Sequence, residues 1–469
     1  MELMIPLKPY GQKPMYEQIY QYMKEEIRTG SLGQGVRLPS TRVLAENLKV
    51  SRSTTQMAYD QLVAEGYIEA VPHRGYFVLG LEELVETETE IQGEFIQESG
   101  EDEKEVGIDF SPRGIDLTHF PYNTWRKVTR NTLVEDKKEM FLTGSPQGEP
   151  ALREAIKGYL HSARGVNCQA EQIIIGAGSE YLLMLLYQIL GPGQTIAMEN
   201  PTYKQAYRVF ESLGYQILPV EMDRYGMEVK GLEESGADVA YVRPSHQHPM
   251  GIVMPVNRRQ ELLQWAGQRK DRYLIEDDYD SEFRYRGKPI PALQGLDKAG
   301  KVIYMGTFSQ SIAPAIRVGY MVLPQPLLSV YQQRLGFYAS TVSRIDQNIL
   351  YQFLTEGYYE RHLNRMRAIY KGKHDTLLAR LRGLEEDFQI HGEYAGLHVL
   401  LTSKKGLPER WLVEEAGKAG VRVYGLSGYY IHQHHNNRPS TVILGYAKLS
   451  EEQIEEGARR LKEAWHRTT

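Results

Sequence analysis

Cysteine is almost missing from this chain, since Cys168 is the single one among 469 residues. One cysteine excludes disulfides within the chain and fits a reducing cytoplasm. Long apolar runs are also missing: the most apolar segment, residues 181–190, has about half the length that a bilayer requires. The first residues, MELMIPLKPYGQ, lack the basic and apolar regions of a signal peptide. We therefore expect a cytoplasmic protein without a membrane partner.

A large excess of charge of either sign is absent as well. The chain carries 55 Lys and Arg against 60 Asp and Glu, which gives a net charge of -5. This balance excludes nucleic-acid binding through overall charge, so such a partner must be recognised by a local arrangement of residues. The length predicts a large core with an additional smaller domain.

Composition divides the chain into three regions. Residues 1–80 contain short helical patterns followed by two strand patterns, which predicts one small domain. Residues 81–107 are rich in Glu and have little periodic apolar content, which predicts a solvated acidic linker. From residue 108 to residue 469, apolar strand-like runs alternate with amphipathic helical stretches. That alternation is typical of an α/β domain.

The first region predicts three helices and a hairpin. Apolar spacing indicates a helix from Pro14 to about residue 29, a second helix after Ser40 and a third that begins at the N-cap Ser51. The residues of the second helix expected to face inward are Val43, Leu44 and Leu48. Residues 67–70 and 75–79 are predicted to form two strands. Two helices joined by a tight turn and followed by a hairpin form a winged helix-turn-helix.

In such a domain, the third helix would lie in the major groove of DNA with its N-terminal residues toward the bases. Hydroxyl and guanidinium groups at that end can donate to phosphates or to base edges. The predicted DNA-binding residues are Arg42, Ser51, Arg52, Ser53, Thr54, Thr55, His73 and Arg74. The alternative is a small interaction module with ordinary exposed polar residues. The segment LPSTRVLAENLKVSRSTTQMAYDQLVAEGYI resembles the DNA-binding domain of GntR-family transcription regulators, which implies double-stranded operator DNA as a partner.

Two segments of the third region place polar groups where strands end. In IIIGAGSEYLLMLLYQIL, a glycine turn joins a strand to a helix, so the N–H groups of Gly178 and Ser179 would face an anion. YLIEDDYDSEF ends an apolar strand in a run of acids, with Asp277 and Tyr279 on the same side. Such an aspartate can keep a pyridine nitrogen protonated, and a solvated acidic strand end is the alternative.

A further segment, GTFSQSIAPAIRVGY, also follows a strand-like run. The hydroxyls of Thr307 and Ser309 can hydrogen-bond a phosphate, and Arg317 can pair with it. NPTYKQAY supplies Tyr203, an aromatic side chain that would lie near a bound ring. PSHQHPMG supplies His246, which we interpret as a structural hydrogen-bonding residue rather than a catalytic one.

These segments occur in the order found in fold-type I aminotransferases. Together with the N-terminal module they resemble MocR-type regulators, in which a GntR-like winged helix is fused to an aminotransferase-like domain. The stretches that carry the resemblance are PSHQHPMGIVMPVNRRQELLQWA, IEDDYDSEFRYRGKPIPALQGLD and GTFSQSIAPAIRVGY. The resemblance covers nearly the whole chain. It implies a head-to-tail homodimer that senses pyridoxal 5'-phosphate (PLP), alone or as an adduct with a small amino compound.

The resemblance also implies a role for individual residues. Asp277 would bind the pyridine nitrogen, Tyr279 would lie at the 3'-oxygen and Tyr203 would stack near the ring. The implied cofactor-binding residues are Gly178, Ser179, Tyr203, Asp277, Tyr279, Thr307, Ser309, Gln310 and Arg317. No catalytic residue is assigned, because Gln310 stands where the family has the lysine that forms a Schiff base with PLP. A glutamine amide is not nucleophilic, so we expect neither a covalent link nor transamination.

Three explanations of Gln310 remain open. The chain is a variant that traps one cofactor state, or a natural protein that binds PLP or an adduct noncovalently, or a protein that has abandoned the cofactor. A site without an anion would gain nothing from a buried Arg317, which favours the first two explanations. Two other functions also remain open, an active aminotransferase with an accessory domain and a purely structural dimer module.

The effector is not identified by the sequence. The γ-aminobutyrate-sensing member of the family has an arginine two residues after its stacking tyrosine, and Gln205 stands there in this chain. We therefore expect a different effector, with Arg422 or Arg438 as candidates for holding a carboxylate. The histidines of HQHHNNR, residues 432–438, lack regular spacing and acidic partners. A polar loop is favoured over a metal site there.

Overall fold

The structure, a computed structural model, describes residues 5–7, 13–80, 107–133, 138–285, 290–392, 395–431 and 440–466. The predicted acidic linker, apart from residue 107, and the histidine-rich segment 432–438 lie outside the described residues. The chain divides into two compact units, Met1–Asp102 and Glu103–Thr469. Among the helices that the structure describes, none is long and apolar enough to span a bilayer.

The small unit is a winged helix-turn-helix, as the sequence predicts. Its elements are α1 (Met15–Arg28), α2 (Thr41–Leu48), α3 (Arg52–Ala64), β1 (Ile68–Val71) and β2 (Gly75–Val78). The hydroxyls of Ser40 and Ser51 cap α2 and α3. Each accepts a hydrogen bond from the backbone N–H three residues later, that of Val43 or Thr54. The turn between these helices passes through Lys49, whose φ of 54° is left-handed. The two strands pair antiparallel and form the wing.

One inward-facing residue of this unit was predicted wrongly. Val43 is 46% exposed, whereas Leu44 is fully buried. The buried residues of α2 are Thr41, Leu44 and Ala45, so its inward face is offset from the predicted one. The hydrophobic core joins all three helices and the wing. Its central members include Ile19, Met23, Leu44, Ala58, Tyr59, Leu62 and Ile68.

The large unit is an α/β fold built on three sheets. Its strands are β3 (Ile108–Asp109), β4 (Ile173–Gly176), β5 (Thr195–Asn200), β6 (Gln216–Asp223), β7 (Gly226–Met227), β8 (Val239–Val242), β9 (Tyr273–Asp278), β10 (Val302–Thr307), β11 (Gly319–Val322), β12 (Phe388–His391), β13 (His398–Ser403), β14 (Val421–Arg422), β15 (Tyr424–Gly425) and β16 (Thr441–Gly445). The main sheet has the order β4-β11-β10-β9-β8-β5-β6-β7. Strands β12, β13, β16 and β15 form a smaller antiparallel sheet, and β14 pairs with β3.

Eleven α-helices of this unit lie within the described residues. They are α4 (Tyr122–Thr132), α5 (Pro150–Arg164), α6 (Ser179–Leu190), α7 (Lys204–Ser212), α8 (Val229–Ser235), α9 (Val256–Gly267), α10 (Gln325–Arg334), α11 (Arg344–Thr355), α12 (Tyr358–Leu381), α13 (Glu409–Lys418) and α14 (Glu451–His466). Because helices lie on both faces of the main sheet, the edge strand β4 and the inner strands β8 and β10 are buried throughout.

Strand direction determines where polar side chains gather. Strands β5, β8, β9 and β10 are parallel, and β4 runs antiparallel to β11, which is itself antiparallel to β10. The carboxyl ends of β4, β5, β8, β9 and β10 therefore meet at one edge of the sheet. Ligand sites in open α/β sheets lie at this edge. All the segments singled out in the large domain by sequence leave the sheet here.

A buried ion pair holds this edge together. Arg164, the last residue of α5, donates from Nε to Asp278 Oδ2 at 2.7 Å and from Nη2 to Ser245 Oγ at 2.7 Å. Tyr304 of β10 donates to the same carboxylate oxygen at 2.5 Å. Both charged side chains are almost fully buried, with 3% and 1% exposure. The pair thus ties α5, β9 and β10 together beneath the site.

We expect Arg164→Met to destabilise the large unit by about 3–5 kcal/mol, because it leaves the Asp278 carboxylate buried without its cation. The matched control is Arg380→Met, which breaks the Arg380–Glu455 pair between half-exposed side chains. Surface pairs of that kind contribute at most about 1 kcal/mol. Urea unfolding followed by tryptophan fluorescence measures both changes. Equal midpoints for the two variants would contradict the assigned role of Arg164.

Candidate functional site

The first candidate site is the N-terminal end of α3 together with the wing. Ser51, Arg52 and Ser53 are exposed there. The Ser51 hydroxyl contacts the hydroxyls of Ser53 at 2.8 Å and Thr54 at 2.7 Å, so these side chains form one polar cluster. Arg42 is exposed on α2 and pairs with Glu46 one turn later. The structure therefore presents a polar helix end to solvent.

The wing contributes two of the predicted residues. His73 and Arg74 are exposed in the turn between β1 and β2, and His73 has a left-handed φ of 62°. The Arg74 guanidinium lies 5.6 Å from the centre of the Phe77 ring. Arg37, which sequence reasoning missed, is exposed and forms a β-bridge with Phe77 beside the wing. No periodic pattern marks residue 37, since it lies in a loop before α2.

Thr55 does not belong to this surface, and its predicted DNA contact is wrong. The residue is fully buried, and its hydroxyl donates to the carbonyl oxygens of Thr41 at 2.8 Å and Arg52 at 3.0 Å. It fastens α3 to the start of α2. The helical period explains the error. Thr55 lies on the same face of α3 as Ala58, Tyr59 and Leu62, which is the buried face.

The second candidate site is a pocket of about 290 Å³ at the carboxyl edge of the main sheet. Seven of the nine predicted cofactor residues line it directly. The lining includes Ser179, Tyr203, Tyr279, Thr307, Ser309, Gln310 and Arg317, with Arg113, Glu180, Arg243, His248 and His398 added by the fold. Asp277 and Gly178 lie behind this lining, in contact with Arg243 and Arg317.

One end of the pocket carries the predicted phosphate-binding residues. Gly178 has a φ of +88°, a backbone conformation that favours glycine, and a Cβ at this position would lie 2.6 Å from Nη2 of Arg317. The Ser309 hydroxyl is buried and has no hydrogen-bond partner among the described residues. Its backbone N–H is held by Thr307 Oγ1 at 3.1 Å. An unpartnered buried hydroxyl beside an arginine fits the binding of an anionic oxygen.

Arg317 differs from the expectation in one respect. Its side chain is 53% exposed and pairs with Glu180 Oε2 at 2.7 Å, so it is neither buried nor free. The inference that a buried Arg317 requires an anion therefore fails. An incoming phosphate would have to replace the Glu180 carboxylate, whose own pKa is lowered by the hydrogen bond from Arg317 against the opposing effect of burial.

The other end of the pocket is filled by Arg243, which sequence reasoning missed. The guanidinium carbon lies 4.0 Å from the centre of the Tyr203 ring and 4.2 Å from that of Tyr279. Its Nε and Nη2 donate to Asp277 Oδ2 at 3.0 and 2.5 Å. Tyr241 donates to the same oxygen. Burial disfavours the charge, but Asp277 together with the neighbouring Tyr241, Tyr279 and Tyr203 raises the pKa of Arg243 well above its usual range.

Histidines form the wall beside Arg243. His246 is buried, with Nδ1 2.8 Å from Asp280 Oδ2 and 3.1 Å from the Tyr279 hydroxyl. Burial lowers the pKa of His248 well below its usual value, with further lowering by His398 and Arg243. Burial and the neighbouring His246 lower the pKa of His398 to about 4. At neutral pH, His248 and His398 are thus uncharged.

The remaining candidates lie in different places. Gln310 lines the pocket beside Ser309, and Gln205 lies at a small adjoining pocket with Asp277. Arg422 lies in β14, away from the lining, and Arg438 lies outside the described residues. Lys301 donates to the carbonyl oxygens of Arg269 and Lys270 near the amino end of β10, so it does not replace the missing lysine.

The two ends of the pocket differ in how well their residues fit PLP. The phosphate end fits, because Gly178, the Ser309 hydroxyl and Arg317 converge there. The ring end does not fit in the folded arrangement, because the Arg243 guanidinium lies between the two tyrosine rings and already pairs with Asp277. Noncovalent PLP, expected from the sequence, is therefore accommodated in part.

Two protein families match the chain. Residues 15–78 match the gntR family of bacterial regulatory proteins, and residues 116–461 match aminotransferase class I and II. The crystal structure of a kynurenine aminotransferase from Pyrococcus horikoshii, in complex with PMP, is similar at 28% identity with a TM-score of 0.67. The similarity covers 76% of this chain and 90% of that one. The large unit thus has the fold of a PLP-binding family.

Curated relatives match over both units. An uncharacterized HTH-type transcriptional regulator from Bacillus subtilis, YdeL, is 41% identical over 96% of this chain and 97% of its own. The probable rhizopine catabolism regulatory protein MocR from Rhizobium meliloti is 32% identical over 96% of this chain and 94% of its own. The chain therefore belongs to the MocR-type HTH transcriptional regulators, in which a GntR domain is joined to an aminotransferase class I and II domain.

The neutral His398 predicts a pH dependence of stability. Its folded pKa of about 4 lies below the usual unfolded value of about 6.5. The stabilising neutral form is fully populated in both states above pH of about 6.5, and stability is lost as the pH falls from there toward 4. This one group would contribute a loss of about 3 kcal/mol.

We expect His398→Gln to flatten the loss of unfolding free energy between pH 7 and pH 4, since the amide can still donate to the Pro249 carbonyl. The control is His161→Gln, because His161 is exposed on α5. Urea unfolding across this pH range measures the slopes. A variant slope equal to that of the parent protein would show that His398 does not cause the dependence.

Proposed function

We propose that this protein is a DNA-binding transcription regulator whose large unit senses a small ligand and catalyses no transamination. The observation that carries the proposal is the exposed polar end of α3, in a winged helix whose wing also presents basic residues. Arg52 would contact base edges, while Arg42, His73 and Arg74 would contact the phosphate backbone. Ser51, Ser53 and Thr54 would position the helix end.

The absence of catalysis rests on Gln310. This side chain lines the pocket at the position that the resemblance assigns to the cofactor lysine, and its amide cannot form a covalent bond to an aldehyde. Lys301, the nearest lysine in sequence among the described residues, is directed elsewhere. When bound in related enzymes, PLP supplies an electron sink for reactions of amino groups. Among the residues that the structure describes, no lysine lines the pocket to carry that chemistry.

The ligand of the large unit would be a small anion that is held noncovalently. Arg113 and Arg317 bring positive charge to the open part of the pocket, and the Ser309 hydroxyl can donate. Guanidinium groups bind phosphates and carboxylates in a bidentate way. A PLP–amine adduct would gain the same phosphate contacts, while its ring would need the position of Arg243.

The proposal includes the organisation inferred from sequence. Residues 1–80 would bind DNA, residues 81–107 would form the linker, and residues 108–469 would form the effector domain. As the resemblance to MocR-type regulators implies, two chains would form a head-to-tail homodimer on the operator. A cytoplasmic location follows from the DNA partner.

We expect Arg52→Ala to weaken operator binding about 5- to 160-fold, in line with about 1–3 kcal/mol for a base-contacting arginine. Fluorescence anisotropy with the duplex upstream of the protein's own gene measures this change. The control is Arg410→Ala, because Arg410 is 89% exposed on α13 and would not contact DNA. The binding constant should also fall steeply with salt. If Arg52→Ala binds as tightly as Arg410→Ala, the assignment of α3 as the recognition helix is wrong.

We also expect no transamination by the parent protein. Incubation with PLP, an amino donor and a 2-oxo acid should give no more product than the mixture without protein, because no lysine lines the described pocket. An active aminotransferase run in parallel controls the assay. Borohydride reduction followed by peptide mass spectrometry should find no pyridoxyl group on the peptide that contains Gln310. Catalytic turnover would favour the alternative, an aminotransferase with an accessory DNA-binding domain.

A further inference from the structure

Arg243 is a charged residue placed where a ligand site would be expected to stay open. It directly follows β8, whose four residues are all buried, and its own side chain is 3% exposed. Both faces of its planar guanidinium are covered by aromatic rings, Tyr203 at 4.0 Å and Tyr279 at 4.2 Å. A guanidinium between two aromatic faces gains cation–π attraction on both sides, and the gain is largest when water is excluded.

The edge of the same guanidinium pairs with a carboxylate. Nε and Nη2 donate to one carboxylate oxygen of Asp277, at 3.0 and 2.5 Å. Tyr241 donates a third hydrogen bond to that oxygen. The Asp277 side chain is 7% exposed, so the ion pair is shielded from solvent. The carboxylate therefore has its counter-ion within the protein and needs none from a ligand.

A protonated pyridine ring would make the same set of contacts. It is flat and positively charged, it stacks against aromatic rings, and its N–H donates to a carboxylate. Arg243 supplies a flat surface, a positive charge and N–H donors to the same three residues, Tyr203, Tyr279 and Asp277. A ring and this guanidinium cannot occupy one space, because van der Waals contact requires about 3.5–4.0 Å between stacked carbon atoms.

We propose that Arg243 is an internal occupant of the ring site, which closes this pocket to pyridine compounds and leaves its phosphate end available. The inference rests on the proposed function in taking this pocket as the ligand site. It further specifies the ligand, since a phosphate monoester without a flat ring can reach Ser309 and Arg317 while Arg243 stays in place. Gln310 and Arg243 then both disfavour the binding of PLP. Gln310 removes the covalent link, and Arg243 removes the ring contacts.

The test compares two probes on the parent protein and on Arg243→Ala. Pyridoxine 5'-phosphate carries the ring and the phosphate but has no aldehyde, so it cannot react with surface lysines. Inorganic phosphate carries no ring. We expect the parent protein to bind the two probes with affinities within about threefold of each other. In Arg243→Ala, pyridoxine 5'-phosphate should bind at least about tenfold tighter than inorganic phosphate, because stacking and the Asp277 contact become available. Isothermal titration calorimetry measures all four constants.

Two results would overturn the proposal. One is a parent protein that already prefers pyridoxine 5'-phosphate at least tenfold, and the other is a folded Arg243→Ala that shows no preference. If Arg243→Ala fails to fold because Asp277 is left unpaired, Arg243→Ala combined with Asp277→Asn removes both charges together. Stacking between Tyr203 and Tyr279 should still give that double variant a preference for the ring, and the lack of one would equally overturn the proposal.

A reconstruction of the covalent site gives an independent measurement. With PLP and borohydride, Gln310→Lys alone should incorporate little pyridoxyl label at residue 310, whereas Gln310→Lys with Arg243→Ala should incorporate at least about tenfold more. Equal labelling of the two would contradict a blocking role for Arg243. Operator binding by the parent protein is measured separately, so a failure of DNA recognition and a failure of the Arg243 proposal are distinguishable.

Discussion

The arrangement of the pocket depends on the buried ion pair between Arg243 and Asp277. The two residues follow and end adjacent parallel strands, β8 and β9, at the same edge of the sheet. An arginine stays charged at any physiological pH, so its burial requires a carboxylate close by. Asp277 meets that requirement, and Tyr203 and Tyr279 then close over the two faces of the guanidinium. Once this group of four side chains is in place, the pocket that remains is its phosphate end.

The neighbouring aspartates at the carboxyl end of β9 have separate roles at this edge of the main sheet. Asp277 pairs with Arg243 at the pocket, and Asp278 pairs with Arg164 on the opposite face of β9. Asp280 contacts His246 in the histidine wall. Alternation along a strand directs successive side chains to opposite faces, so one segment contributes both to the site and to the scaffold. The Arg164–Asp278 pair belongs to the scaffold, whereas the Arg243–Asp277 pair lies at the pocket. Fold and function are separable in this way because the site is a small part of the scaffold.

Much of this architecture could be predicted from the sequence. The serine caps of α2 and α3 and their apolar spacing predict the winged helix, and the order of the strand-ending segments predicts the α/β unit. Local signals fail where contacts come from another element. Thr55 is buried because α2 packs against it. Arg317 is half-exposed and forms an ion pair with Glu180 of α6. Sequence reasoning missed Arg243 because it precedes the recognisable PSHQHP segment, and its partners Tyr203, Asp277 and Tyr279 are 34–40 residues away in the chain. A pattern along the sequence does not reveal such contacts between side chains of different elements.

The central claim is that Arg243 takes the place of a cofactor ring. A crystal structure of the parent protein soaked with PLP tests it most directly. We expect electron density for the guanidinium between Tyr203 and Tyr279, in contact with Asp277, with any bound ligand confined to the side of the pocket near Ser309 and Arg317. A pyridine ring stacked on Tyr203 with its nitrogen beside Asp277, and Arg243 turned away, would contradict it.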